Sequence, residues 1–223
     1  MQIKAIVFDV NETLLDLQKL KDSVDQVLEK KGAAEVWFTS LLHYSLVESI
    51  RDEYHDFSEI AAAVLKMQAE KDSKKLSEDH IKDTLAVVKD LDPYPDVLPG
   101  LQKLKEYGVK LIAFSNGKPD VLNAQLKNAG IATLFDEIHS VDACKKYKPH
   151  PHSYKYILEK VDLPANKVLM VAAHGWDIAG AKSAGLNTCF VNRPGKVNYP
   201  LAPEPDHQVK GIDELVPVIK RDS

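Results

Sequence analysis

The sequence predicts an α/β protein: a doubly wound parallel sheet with a helical segment inserted after the first strand. Three observations carry this expectation. Short β-branched apolar runs end four times on polar residues. Helical patterns that close on glycine lie between those runs. One long stretch, from about Leu15 to Leu91, has helical patterns and no convincing strand.

The first run is Ile3 to Phe8 (IKAIVF), which stops at Asp9 and reads as a buried parallel strand. The insertion follows. Its clearest helical segments hold Trp37, Leu41, Leu42, Tyr44, Ser45, Val47 and Glu48, and then Ile60 to Met67. Asp92-Pro93-Tyr94-Pro95 reads as a hinge back to the sheet. Val97 to Tyr107 has leucines at helical spacing and Gly108 at its C-terminal cap. Val109 to Phe114 (VKLIAF) is the second strand and ends at Ser115-Asn116-Gly117. Helices are expected at Asp120 to Ala129, closed by Gly130, and at Ser153 to Val161. Val168 to Ala172 is a strand ending near His174, and Asp177 to Ala184 a helix closed by Gly185. Thr188 to Val191 is the last strand and ends at Asn192-Arg193. The expected division is a core of residues 1–14 and 93–223 with a helical cap at 15–92.

Composition narrows the function. The 223 residues are 44% hydrophobic and 28% charged, with a net charge of -4 and no basic block, so a nucleic-acid partner is not expected. The N-terminal apolar run is too short for a secretory signal, and no stretch approaches the roughly 18 apolar residues of a membrane span. Cys144 and Cys189 are far apart and read as free thiols of a reducing compartment, so the cytoplasm is the expected address.

Open α/β sheets bind ligands outside the carboxyl ends of their strands. That rule puts Asp9, Ser115-Asn116, the loop around His174 and the Asn192-Arg193 loop on one rim. The insertion grows from the same rim and could cover it. Asp9 there is either a nucleophile or a turn cap. Ser115-Asn116-Gly117 offers a hydroxyl, an amide and backbone N–H groups to an anion, or is a turn before Lys118-Pro119. Lys148, restricted by Pro149, either reaches the rim to keep Asp9 ionised or is solvated. Asp177 follows Trp176 at a helix start, where an N-cap role competes with a site role.

Four stretches in this order resemble the haloacid dehalogenase superfamily of aspartate-nucleophile hydrolases over nearly the whole chain: FDVNETLLD (Phe8 to Asp16), FSNG (Phe114 to Gly117), YKP (Tyr147 to Pro149) and GWDIAGAKSAG (Gly175 to Gly185). The insertion is similar to the helical cap of that superfamily. Most members are phosphatases with a second Asp two residues after the nucleophile, acting as general acid, and an acidic Gly-Asp pair that helps hold Mg²⁺. Here those positions are Asn11 and Ala172-Ala173. The type II L-2-haloacid dehalogenases are the better resemblance. It implies a metal- and cofactor-independent hydrolysis of a small halogenated carboxylate through an aspartyl ester, and a homodimer.

By that resemblance Asp9 is the nucleophile, with Thr13, Ser115 and Asn116 orienting it and binding the substrate. Val10 and Asn11 are counted as substrate-binding, Lys148 balances charge, Tyr154 lies at the site and Trp176 lines an apolar wall. Asp177 positions the hydrolytic water and Lys148. Three departures stand out. Asn11-Glu12 replaces a tyrosine-glycine pair, His174 replaces an asparagine, and Glu48 aligns where the family has a substrate-binding arginine, with Arg51 a turn away as a substitute. They suggest that His174 activates water, oriented by Glu48 or, second, by Glu12. The other histidines show no metal-ligand spacing, so no metal site is expected, and His150 and His152, flanking Pro151, read as solvated. The rival readings are a Mg²⁺-dependent phosphatase of small metabolites and an inert binding scaffold.

Overall fold

Ala5–Phe8, strand β1, is apolar at every position and wholly buried, which only a central strand of a two-faced sheet requires. In the computed structural model, which describes residues 3–221, β1 pairs in parallel with β2 (Lys110–Ser115) on one side and β4 (Val168–Ala172) on the other. Phe8 lies opposite both Ala113 and Val171. With β3 (Glu137–Ser140), β5 (Asn187–Val191) and β6 (His207–Val209) the sheet has six parallel strands in the order β3-β2-β1-β4-β5-β6. The doubly wound expectation holds.

Two strands were not expected. β3 and β6 are short edge strands of mostly half-exposed residues, so neither forms an apolar run that sequence reading detects.

Four helices fill the insertion: α1 (Gln18–Leu28), α2 (Ala33–Arg51), α3 (Phe57–Lys71) and α4 (Glu78–Ala86). α1 buries Leu20, Val24 and Leu28, one per turn. The Asp25 carboxylate accepts the N–H groups of Gly32 and Ala34, each at 2.7 Å, and so satisfies the start of α2. α3 opens with a capping box. Asp56 accepts from Ser58 and Glu59 while Glu59 accepts the Asp56 N–H. The outgoing and returning chains lie side by side: Tyr94 N–H donates to the Leu14 carbonyl (3.0 Å) and Asp16 N–H to Asp92 (2.9 Å).

The core helices α5 (Val97–Tyr107), α6 (Pro119–Asn128), α7 (Pro151–Val161), α8 (Gly175–Ser183) and α9 (Leu215–Arg221) complete the layers. α8 begins before Asp177: His174 occupies its N-cap position and Asp177 lies in the first turn. The capping role that competed for Asp177 is therefore not the one it takes. Among the described residues no helix is long and apolar enough to cross a membrane.

Candidate active site

β1 is flanked by β2 and β4, whose connections leave in opposite directions, so Asp9 sits at a topological switch point. Its N–H donates to Val171 of β4 (3.0 Å), fixing the backbone, and the residue is 5% exposed. Both carboxylate oxygens are held. Oδ1 accepts from Lys148 Nζ at 2.9 Å and Oδ2 from Thr13 Oγ1 at 2.7 Å. The Thr13 oxygen in turn accepts the Ala173 N–H (2.9 Å), so its one proton is aimed at Asp9.

Lys148 is fully buried at its ammonium, and its other two donors go to Asp177 Oδ2 (2.6 Å) and the Phe114 carbonyl (3.1 Å). Tyr154 then donates to Asp177 Oδ1 at 2.5 Å. The chain Thr13–Asp9–Lys148–Asp177–Tyr154 thus joins residues from three separate stretches of sequence. Gly180 permits its far end, because a Cβ there would come within 2.5 Å of the Tyr154 ring. The Lys148–Pro149 peptide is cis. The Asn116 side chain grips the Lys148 backbone from both sides, accepting its N–H at 2.9 Å and donating to its carbonyl at 3.4 Å.

Charge follows this geometry. Burial on its own would raise the Asp9 carboxyl, but the charge of Lys148, that of His174 when it is protonated, and the bonds from Lys148 and Thr13 outweigh it and hold Asp9 below the usual aspartate range. Asp177 is raised, by burial and by repulsion from Asp9, against the pull of Lys148. Lys148 is raised: burial disfavours its charge, yet Asp177 and Asp9 overcome that. Burial and the neighbouring Asp177 push the Tyr154 hydroxyl well above its ordinary value, so it remains a donor.

His174 Nε2 faces Asp9. It lies 3.7 Å from Asp9 Oδ2, 3.7 Å from Glu12 Oε2 and 3.2 Å from the Asn11 carbonyl. Trp176, half-buried, stacks on the imidazole at 4.9 Å between ring centroids, 21° from parallel. Glu12 is 3% exposed and holds a positive φ of 59°, which turns its side chain inward. Lys196 and Lys21 both bond its carboxylate, the latter at 2.8 Å. Burial would raise Glu12, but those lysines, and His174 when it is protonated, hold it below the usual glutamate range. A folded-state value below the unfolded one stabilises the fold above the unfolded pKa, about 4.3 for glutamate, and the benefit disappears as pH falls through the folded value. We expect Glu12→Gln to be about 1–3 kcal/mol less stable near neutrality and to lose less further stability below about pH 4.3 than the parent. Thermal unfolding across that range checks both.

Several expectations need correction. Glu48 does not partner His174: its carboxylate accepts from His55 Nδ1 at 2.7 Å and lies 3.8 Å from Arg51. Arg51 is exposed and committed to that pair, so it does not replace a substrate-binding arginine. The reason is position along the helix. α2 turns Trp37, Phe38 and Leu41 inward. Glu48 shares the face of Leu41 but lies seven residues further on, in the last turn of α2, where His55 and Arg51 meet its carboxylate. Val10 packs its side chain wholly in the core and contributes its carbonyl, which accepts the N–H groups of Thr13, Leu14 and Leu15. Tyr154 is fully buried behind Asp177 rather than facing an open cleft. Asn116 uses its amide oxygen and one N–H on Lys148, and Ser115 Oγ accepts the Gly117 N–H at 3.0 Å; neither bond consumes the Ser115 O–H or the second Asn116 N–H as a donor. Asn11 Oδ1 accepts from Gln125 Nε2 at 2.9 Å.

Sequence reading assigned Arg193 no role, though it put the residue on the rim. The guanidinium is buried and donates from Nε (3.0 Å) and Nη2 (2.9 Å) to the Thr13 carbonyl, while Asp96 accepts two further bonds from it. It pins the turn that carries Thr13. Only its place after a strand hinted at this.

This fold, with a buried Asp after the first strand and a buried Lys against it, defines a class. The chain belongs to the haloacid dehalogenase-like hydrolases, whose family model matches residues 3–185. It is similar to (S)-2-haloacid dehalogenase 4A of Burkholderia cepacia, 32% identical over 98% of this chain and 96% of that one. It is also similar to haloacetate dehalogenase H-2 of Moraxella sp. (strain B), 29% identical over 98% of both chains. The solved L-2-haloacid dehalogenase of Xanthobacter autotrophicus superposes with a TM-score of 0.90 at 29% identity, covering 99% of this chain and 100% of that one. The same enzyme with chloropropionic acid covalently bound also gives a TM-score of 0.90, at 28% identity over 99% of this chain and 100% of that one.

Proposed function

We propose that the protein is an (S)-2-haloacid dehalogenase that converts short 2-haloalkanoic acids to 2-hydroxy acids through an ester on Asp9. The observation that carries this reading is the Asp9 carboxylate: buried, kept ionised, and oriented on both oxygens by Thr13 and Lys148. An Asp9 oxygen attacks C2 from the side opposite the halogen. The C–halogen bond breaks with its electron pair, and the configuration inverts. Halide leaves as a weak base, so no acid is needed at position 11, where Asn11 stands. The substrate carboxylate lies at the end of β2, near Ser115 and Asn116, and Lys148 offsets its charge.

The second half-reaction needs water at the ester carbonyl. In this reading His174 takes a proton from that water through Nε2, and the imidazolium formed is stabilised by Glu12 and by the Asn11 carbonyl. The water oxygen bonds to Cγ of Asp9, the 2-hydroxy acid departs, and the proton passes from His174 to its oxygen. His174→Asn should slow deacylation by about 10²–10⁴-fold and accumulate ester on Asp9, read by mass spectrometry after quenching. Deacylation at the parent rate removes His174 from the mechanism. Arg193 is a positioning residue. Arg193→Lys keeps the charge but not the fork onto Thr13, and kcat should fall by about 10–100-fold with little change in KM.

Residues 15–92 form the cap in this proposal, excluding water from Asp9. We place the enzyme in the cytoplasm, consistent with unbridged Cys144 and Cys189. We also take it to be a homodimer, for which Val36 and Ile50 of α2, 58% and 80% exposed, offer apolar surface. Light scattering tests the dimer. Halide release from each enantiomer of 2-chloropropionate tests reaction class and stereochemistry together. Turnover of p-nitrophenyl phosphate that requires Mg²⁺ and vanishes with EDTA, with no halide from either enantiomer, would reject the proposal.

A further inference from the structure

A cavity of about 360 Å³ lies between the insertion and the core, beside the nucleophile's loop. Trp37, Phe38 and Leu41 of α2 and Phe57 of α3 give it an apolar wall. Its core side is Asn11, Gly117 and Gln125. Asn11 is two residues after Asp9, and Gly117 two after Ser115, so the cavity opens from the ends of β1 and β2. It is more than twice the roughly 150 Å³ of an apolar cavity that accommodates benzene. The methyl group of 2-chloropropionate would leave most of it unfilled.

One polar atom there has no partner. Gln125 is fully buried on α6, and its Nε2 donates to Asn11 Oδ1. Its Oε1 accepts nothing. Buried carbonyl oxygens are rarely left so, and the exceptions call for a ligand or water to complete them. Ser58, Glu78, Lys82, Lys89 and Lys118 also line the cavity, but Gln125 Oε1 is the buried acceptor of this lining without a partner. A largely apolar cavity with such an acceptor complements an apolar group that carries one donor.

Resting on the dehalogenase reading, we propose that this cavity receives the C2 substituent of the substrate, and that the preferred class is 2-halo acids with an aryl or long alkyl substituent bearing one O–H or N–H donor for Gln125 Oε1. The substituent runs from C2, at Asp9, past Asn11 and Gly117. Gln125 is then a specificity residue remote from the bonds that change.

The test separates binding from reaction by using product-like 2-hydroxy acids, which are not turned over. Calorimetry on the intact protein compares lactate, 2-hydroxy-3-phenylpropionate and 2-hydroxy-3-(4-hydroxyphenyl)propionate. The phenyl compound should bind at least about tenfold tighter than lactate, and the phenol a further several-fold tighter, about what one hydrogen bond contributes. Gln125→Leu should remove the phenol's increment and keep the phenyl's. Ala62→Trp, which fills the cavity, should remove both. Equal affinities for all three ligands, or a phenol increment that survives Gln125→Leu, overturn the inference. Halide release from 2-chloropropionate is measured in parallel. Halide release with equal affinities leaves the dehalogenase reading standing and the pocket refuted. Increments without halide from any 2-chloro acid support the pocket and reject the reaction.

Discussion

Asp9→Asn protein is expected to release halide from 2-chloropropionate at least about 10⁴-fold more slowly than the parent. An amide oxygen carries no negative charge and is a far weaker nucleophile than a carboxylate, and neither neighbouring carboxylate can take its place. Asp177 is buried, raised in pKa and committed to Lys148 and Tyr154, and Glu12 is held by Lys21 and Lys196. The substitution is nearly isosteric and removes a buried charge, so the fold should survive it, as thermal unfolding would show. Quenched-flow mass spectrometry should find an ester on the parent chain and none on the variant. A variant freshly checked for deamidation that still turns over at the parent rate would discard Asp9 as the nucleophile.

Lys148→Met should be the most damaging change to stability. The ammonium is fully buried between Asp9 and Asp177. A methionine fills much of the same space and leaves two carboxylates facing each other without a cation. Removing one partner of a buried ion pair costs about 3–5 kcal/mol. Losing the main positive charge beside the nucleophile should lower kcat by about 10²–10³-fold besides. The pH dependence distinguishes this mechanism from a packing defect. Without Lys148 the two carboxyls rise above their unfolded values, so the protonated forms favour the folded state and stability recovers as pH falls. A cavity would give a deficit independent of pH. Differential scanning calorimetry between neutral and mildly acidic pH reads the difference. Lys148→Arg should not rescue activity, because the planar fork is larger than a pocket fitted to three donors of an ammonium.

The sheet's interior was legible because its strands announce themselves. β1, β2, β4 and β5 are nearly continuous apolar runs, each followed within two residues by a polar residue at the rim. The edge strands β3 and β6 were not, since a strand with one neighbour and a half-wet surface carries no such signature. The site divided in the same way. Asp9, Thr13, Lys148 and Asp177 were readable as candidates, and the structure brings them into one hydrogen-bonded chain. Glu48 was misplaced because the sequence does not show where the last turn of α2 ends up: there its carboxylate meets His55 instead of His174. Glu12, the second choice, lies 3.7 Å from His174 Nε2, the same distance as Asp9.

Sequence by itself determined the class of fold, the order of the four inner strands along the chain and the carboxylate at the end of the first. Those depend on local pattern: apolar runs, glycine stops and a motif order that survives without coordinates. Tertiary structure decided which groups meet. It joined Lys148 to Asp9 across 139 positions, put the Arg193 fork under Thr13 across 180, and set Gln125 against Asn11 across 114. Such contacts follow from how β2 and β4 flank β1 and how the helices close over their ends. No short-range pattern in the chain encodes a distance between residues that far apart.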